Sequence, residues 1–144
     1  MSHQSKSKVY FFFESPVHLN NRTALKSFIE SIFRKEGRKL ANLNYIFCTD
    51  ERLLKINQQF LQHDYYTDII SFELSDRRKP LIGEVYISIN RVKENAFSLG
   101  EPIKRELHRV IFHGALHFCG YKDKGVTEVR EMRKMEDKYL ELYL

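Results

Sequence analysis

"TDIISFELSDRRKPLIGEVYISI", Thr67 to Ile89, holds two β-branched runs on either side of the charged turn Ser75 to Pro80. Each run is short and bounded by turn-forming residues, so the stretch reads as an antiparallel hairpin or as two neighbouring strands. On both sides of this stretch the apolar period switches between two and 3.6. That switching is the mark of a chain that mixes strands with helices instead of repeating one element.

Upstream, Val9 to Glu14 is an aromatic-rich strand candidate that stops near Pro16. Thr23 to Glu36 places Leu25, Phe28, Ile29, Ile32 and Phe33 on one helical stripe, closed by Gly37. From Leu40 to Cys48 the period is two, with Leu43, Tyr45 and Phe47 on one side and Asn42, Asn44 and Ile46 on the other. Asp50 is placed to cap a short helix through Phe60, with Leu53, Leu54, Ile56 and Phe60 facing inward. Downstream, Asn90 to Leu99 is a short helix closed by Gly100. Pro102 then sits in the first turn of a helix reaching Gly120, whose apolar positions are Ile103, Leu107, Val110, Ile111, Ala115 and Leu116. A final helix over Thr127 to Leu142 turns Val129, Met132, Met135, Tyr139 and Leu142 inward, the methionines as core filler. The expectation is one α+β domain spanning residues 1–144, with a small mixed β-sheet packed against about five helices.

A chain of 144 residues buries roughly two-thirds of its unfolded surface in a single domain, enough for a substantial core. "MSHQSKSKVYFFFESP" at the start has an apolar run too short for a secretory h-region, and no stretch approaches the ~20 apolar residues of a membrane span. A cytoplasmic protein with no membrane partner is expected, with Cys48 and Cys119 reduced. Lys and Arg outnumber Asp and Glu by 24 to 19, for a net charge of +5. That excess favours anionic partners such as RNA without naming one. It is spread over Arg77 to Lys79, Lys104 and Arg105, and Arg130, Arg133, Lys134 and Lys138. Each run taken alone is a solvated face, and only a shared face around a catalytic centre gives it more meaning.

"HGALHFCGYKD", His113 to Asp123, supplies such a centre. Residues four apart share a helix face about 5–6 Å apart, so His113 and His117 can present two imidazoles to one ion. Gly120 stands where the helix must break, and glycine accepts the left-handed conformation that turns the chain back and brings Asp123 toward the histidines. Two imidazoles and a carboxylate leave a coordination position open for water, as catalytic zinc sites do. Metal candidates are therefore His113, His117 and Asp123, which are also the catalytic candidates through the water that such an ion acidifies; one Zn2+ per chain is expected. Cys119 is a conceivable soft ligand, although His117 is the better helical partner for His113. The spacing H-x-x-x-H-x-x-G-x-x-D is that of the metzincin proteases, H-E-x-x-H-x-x-G-x-x-H, whose last histidine is Asp123 here and whose glutamate, the difference that decides between reaction classes, is Gly114. A peptidase without that base forfeits about 10²–10⁴-fold in rate. Phosphodiester cleavage asks instead for an ion and basic side chains that offset phosphoryl charge.

Three ordered segments resemble the YbeY family of ribosomal RNA maturation factors. "HGALHFCGYKD" is similar to the family's H-G-x-L-H-x-x-G-Y signature, "INQQFLQHDYYTDIISFEL" to its N-x-x-[FY]…D…TD-V-L-S-F segment, and "GEVYIS" to its G-D-I-x-I-S strand. The resemblance implies a bacterial, zinc-dependent, single-strand-specific endoribonuclease. It also implies action in 3′-end maturation of small-subunit ribosomal RNA and in ribosome quality control, with a ribosomal RNA precursor and a ribosome or ribosomal protein as partners. Two departures stand out. The family's usual third ligand is histidine where this chain has Asp123, preceded by Lys122. Leu61 follows Phe60 where many members have an arginine that contacts substrate phosphate, so Arg105, Lys124 and His63 become the candidate phosphate contacts.

Several further residues have two readings. Thr67, Asp68 and Ser71 either satisfy a turn or line the cleft. Glu84 is a candidate to orient a metal histidine. His108, five residues before His113, faces away from the pair and is not expected to be a ligand. Two other functions stay open from sequence: a metallopeptidase of metzincin-like spacing, and a non-catalytic ribosome-associated factor in which the ion only staples the helix to its loop.

Overall fold

Strands and helices alternate in the computed structural model, which describes residues 6–63 and 66–144, in the order β1 (Val9–Phe13), α1 (Arg22–Glu36), β2 (Leu40–Cys48), α2 (Asp50–Leu61), β3 (Ile69–Glu73), β4 (Leu81–Ser88), α3 (Ile89–Leu99), α4 (Ile103–Phe118) and α5 (Val126–Tyr143). Residues 64 and 65, within the second of the three segments quoted above, lie outside the described residues. The sheet runs β1-β2-β4-β3. β1, β2 and β4 are parallel, and β3 returns antiparallel on β4 with Ser71 opposite Val85. The charged turn between β3 and β4 is held by its own chain: Asp76 accepts from the Arg78 N–H through its carboxylate and from the Lys79 N–H through its carbonyl. The described residues thus form the expected α+β fold, with a four-stranded mixed sheet and five helices among them.

Period two along the strands sorts the sheet's faces. Leu43, Tyr45 and Phe47 of β2 join Leu81, Val85 and Ile87 of β4 under α1, α4 and α5, in a core that includes Phe33, Phe112 and Tyr139. The opposite face is smaller, with Cys48, Leu53, Ile56 and Ile70 clustered beneath α2. Burying such a face stabilises the domain by about 25 cal/mol for each Å² of apolar surface removed from water. α4 crosses the main face closely enough that a Cβ on Gly114 would lie 3.2 Å from Val85 Cγ1 and 3.3 Å from Ile69 Cδ1. The Tyr45 hydroxyl donates to the Ile111 carbonyl at 2.8 Å, pinning the same helix to β2.

Element ends follow local chemistry, with departures from expectation at two caps and at four apolar positions. Gly37 and Gly100 close α1 and α3 with φ of 79° and 65°, which glycine adopts without strain. Thr49, not Asp50, caps α2, its hydroxyl accepting from the Arg52 N–H; Asp50 begins the helix and turns its carboxylate to Ser88 and Arg91. Pro102 is the cap residue of α4 and precedes the first turn. Phe60, expected inward, is 63% exposed: α2 covers a narrow face, and the ring meets Phe72 edge-on at its rim. Ile103, Val129 and Leu142, each within four residues of a helix end, also lie exposed. No helix among the described residues is long and apolar enough to cross a membrane.

Candidate metal centre

The last turns of α4 place His113 and His117 at the mouth of a cavity of about 610 Å³ between β3, α3, α4 and α5. The helix stops at Gly120, whose φ of 106° lies in the region that favours glycine, and the Tyr121 N–H reaches back to the Leu116 carbonyl. Two contacts fix the returning chain. Arg38 donates to the Phe118 carbonyl at 2.6 Å, and the Tyr121 hydroxyl donates to Glu36 at 2.8 Å. The turn carries Asp123 back to His113, with Oδ2 3.3 Å from Nε2.

The other face of that imidazole is also held. His113 Nδ1 lies 2.7 Å from Glu136 Oε2, a nearly buried carboxylate on α5 that Arg109 contacts at 3.1 Å through Oε1. Arg109 is fixed in turn by Asp137 at 2.8 Å. Burial by itself would lower the His113 pKa, but the Glu136 hydrogen bond and charge, with Asp123 and Asp68, outweigh it and raise the imidazole above its ordinary value. Burial raises Asp68 despite the opposing pull of His113, and Asp68 accepts a hydrogen bond from Asn95 at 3.3 Å. Burial raises Glu106 as well, against the nearby Arg109. The cleft is consequently acidic: Asp68, Glu106, Asp123 and Glu136 line it against Arg109 and Arg133.

Donor chemistry and spacing in this arrangement fit a cation. Ligands of one tetrahedral zinc, at bonds of about 2.0–2.1 Å, lie about 3.3 Å apart. The His113 Nε2 to Asp123 Oδ2 separation is 3.3 Å. A Glu136 that fixes Nδ1 leaves Nε2 to face the ion, as carboxylates behind metal histidines do. His117 opens on the same cavity, while no group of three His, Cys, Asp or Glu side chains closes into a full ligand set among the described residues.

Other sequence candidates fall on both sides. Thr67, Asp68 and Ser71 line the cavity. Glu84 does not orient a histidine. Alternation along β4 puts it on the face opposite Gly83 and Val85, the residues that touch α4, and its carboxylate accepts from Tyr86 at 3.4 Å. The carboxylate that contacts a motif histidine is Glu136 instead, on α5. His108 is buried away from the cleft, its Nδ1 2.7 Å from the Lys104 carbonyl and its ring stacked on Tyr143. Cys119 faces a neighbouring cavity, and burial with the Glu36 charge pushes its thiol up to about 12, which keeps it protonated. Leu61 ends α2 half-exposed. Among the residues lining the cavity, Arg105, Lys124 and His63 do not appear. Arg105 turns to Glu101 and Glu141, Lys124 gives its N–H to Glu128, and the His63 N–H bonds the Asn57 carbonyl.

Glu136, Arg109 and Glu106 did not emerge from the sequence. A signal for Glu136 exists: it sits four residues after Met132 and three before Tyr139, a carboxylate on an otherwise apolar stripe. Buried carboxylates are rare unless paired, so one at such a position asks for a partner.

Comparison with known proteins agrees with this architecture. Residues 14–143 match the family described as Endoribonuclease YbeY. A protein named Endoribonuclease YbeY from Cytophaga hutchinsonii is 45% identical over 139 residues, covering 95% of this chain and 97% of that protein. One of the same name from Flavobacterium psychrophilum is 42% identical over 135 residues, covering 94% and 96%. The solution structure of TM1509 from Thermotoga maritima superposes with a TM-score of 0.65 at 28% identity, over 92% of this chain and 87% of that one. Matched along nearly its whole length, and carrying the H-G-x-L-H-x-x-G-Y segment whose two histidines line the cleft, this chain belongs to the endoribonuclease YbeY family.

Proposed function

We propose that this protein is a zinc-dependent endoribonuclease that cuts single-stranded RNA. In this reading it acts in 3′-end maturation of small-subunit ribosomal RNA and in ribosome quality control, in the bacterial cytoplasm and in contact with the ribosome or a ribosomal protein. Family membership carries the endoribonuclease activity and the RNA substrate. The observation that carries the site is the two-sided grip on His113, with Glu136 at Nδ1 and Asp123 at Nε2. In the proposal His113, His117 and Asp123 hold the zinc. When bound, such an ion supplies Lewis acidity toward a phosphodiester and a water more acidic than bulk water.

The chain's own groups do the rest. Glu136 holds the His113 ring in one orientation, and Arg109 keeps Glu136 in place by pairing with the oxygen that His113 does not use. Asp68, buried enough to bind a proton more readily than an exposed carboxyl, stands across the cavity as the candidate to take or give one during strand scission. The packing of Gly114 against Val85 and Ile69 argues against a peptidase. A glutamate side chain at this position would start against the sheet, its Cβ 3.2–3.3 Å from Val85 and Ile69, and Gly114 is not among the residues that line the cleft, so the position does not offer the peptidase's general base.

Incubation with labelled single-stranded RNA and with casein, each with zinc and with a chelator, tests the reading. RNA fragments that appear with zinc, vanish with chelator and vanish in His113→Ala are expected, with casein intact. Casein cleavage without RNA cleavage would replace the reading with the peptidase.

A further inference from the structure

The metal cleft has an electrostatic problem as an RNA site, because carboxylates outnumber cations along its walls. Next to it lies a second cavity, of about 860 Å³, with the opposite balance. Arg38, Lys39, Arg77, Arg78, Lys79 and Lys122 line it, against Glu36 and Glu73. The two cavities meet at His117 and Ser71, which line both.

Three segments far apart in the chain build this basic groove: the α1–β2 connection, the β3–β4 turn and the loop after Gly120. The cations divide into two kinds. Arg38 is structural: it donates to Glu73 at 3.0 Å and to the Phe118 carbonyl at 2.6 Å. The other five enter no ion pair among the described residues, and the side chains of Arg77, Arg78 and Lys79 are exposed. Nor does the turn need those three side chains to keep its shape. Asp76 and Ser75 hold its backbone, the Ser75 hydroxyl accepting from the Ile82 N–H at 3.0 Å. Unpaired cations on a self-supporting turn beside a proposed phosphodiester-cutting site are placed to hold phosphates. This is the shared face around the centre that the run Arg77 to Lys79 required before it could mean more than a solvated surface.

Resting on the reading of the cleft as the place where RNA is cut, we infer that a single-stranded RNA substrate lays its backbone from the metal cleft past His117 into this groove, where Arg77, Arg78, Lys79, Lys39 and Lys122 take its phosphates. Specificity here is for the sugar-phosphate chain and not for base identity, since Lys and Arg contacts to phosphate position a strand without reading its sequence. Acidic walls at the cut and basic walls beside it also set a division of labour: the groove supplies affinity and the cleft supplies chemistry.

The test compares the zinc-loaded full chain with two triple variants that remove equal charge. Arg77→Gln, Arg78→Gln and Lys79→Gln together neutralise the groove; Lys55→Gln, Arg130→Gln and Lys134→Gln together neutralise exposed positions that line neither cavity. Affinity for a labelled single-stranded RNA is measured over a range of salt, beside zinc content, KM and kcat for its cleavage. Every phosphate that the protein no longer neutralises takes about 0.7 from the salt slope, so the groove variant shallows it by about 2 while the control keeps the slope of the parent. Zinc content is retained, and the fall in cleavage appears in KM ahead of kcat. Equal slopes in both variants, or a groove variant that forfeits polyglutamate binding but not RNA binding, overturns the inference, the second pointing to an acidic protein as the occupant. Because affinity is read apart from cleavage, a parent protein that binds RNA through the groove but cuts none defeats the endoribonuclease reading and leaves the groove standing. A parent that cuts RNA with no salt response defeats the groove alone.

Discussion

Glu136 is the residue on which the proposed metal centre turns, although it would touch the ion in no step. Its carboxylate lies 2.7 Å from His113 Nδ1 and is itself nearly buried. Outer carboxylates of this kind are worth about 10–100-fold in metal affinity, so Glu136→Gln should weaken zinc by that factor while His113→Ala removes it. Competition with a zinc-responsive dye measures both, and unchanged affinity in Glu136→Gln would mean that the hydrogen bond does not orient the ring. Asp123 makes the converse case. A carboxylate is a harder ligand than imidazole, and Asp123→His, with the ligand usual in the family, should hold zinc at least as tightly. A large drop in affinity with the fold intact would show that Asp123 does not face the ion. The histidines, Gly120 and Asp123 were legible because their spacing is short-range and helical geometry converts spacing into a face. Glu136 was not, because α4 and α5 meet only in three dimensions and a single carboxylate on a stripe has no spacing signature of its own.

Between elements, the close crossing of α4 over the sheet explains both what the motif contains and what it lacks. Gly114 is normally a weak helix residue, costing about 1 kcal/mol relative to Ala. Here a Cβ would meet both methyls of Val85, at 3.2 and 3.3 Å, and the Ile69 Cδ1 at 3.3 Å, so more than one neighbour has to shift to admit it. Gly114→Ala should therefore destabilise the domain, by about 1–3 kcal/mol as overpacked cores do, instead of stabilising it. Denaturant unfolding reads this directly, and a more stable variant would show that the sheet yields at that point. The strands and helices themselves were readable, since period two and period 3.6 are local, and the pairing of β3 with β4 followed from their turn. What misled was position on a stripe. Phe60, Ile103, Val129 and Leu142 have the right period, yet burial also needs enough neighbours over them, and all four, within four residues of a helix end, stay exposed. Parity alone would have excluded Glu84, because Val85 faces α4 and its neighbour in the strand must face away.

At the scale of the whole molecule, the core closes without help from an ion: α1, α4 and α5 bury the main face through Phe33, Phe112 and Tyr139. Chelation should therefore leave the helix content nearly intact, and circular dichroism that collapses on metal removal would indicate a structural staple instead. Stability against acid has a separate source in His108, whose pKa burial lowers, over the opposing hydrogen bond to the Lys104 carbonyl. With the folded value below the unfolded one, the unfolded chain binds more protons. Stability is complete above the ordinary imidazole value of about 6.5 and falls as pH drops from there through the folded value. His108→Phe should narrow the stability gap between about pH 8 and about pH 5.5, on either side of that ordinary value. A gap as wide as the parent's would place the acid sensitivity elsewhere. Whether RNA is cut at the proposed His113, His117 and Asp123 centre is decided by titrating zinc into metal-free protein while following cleavage of a labelled single-stranded RNA. Cleavage that rises in proportion to occupancy and levels off at one zinc per chain is the predicted result; cleavage already complete before zinc is added, or undiminished in His113→Ala, would contradict it.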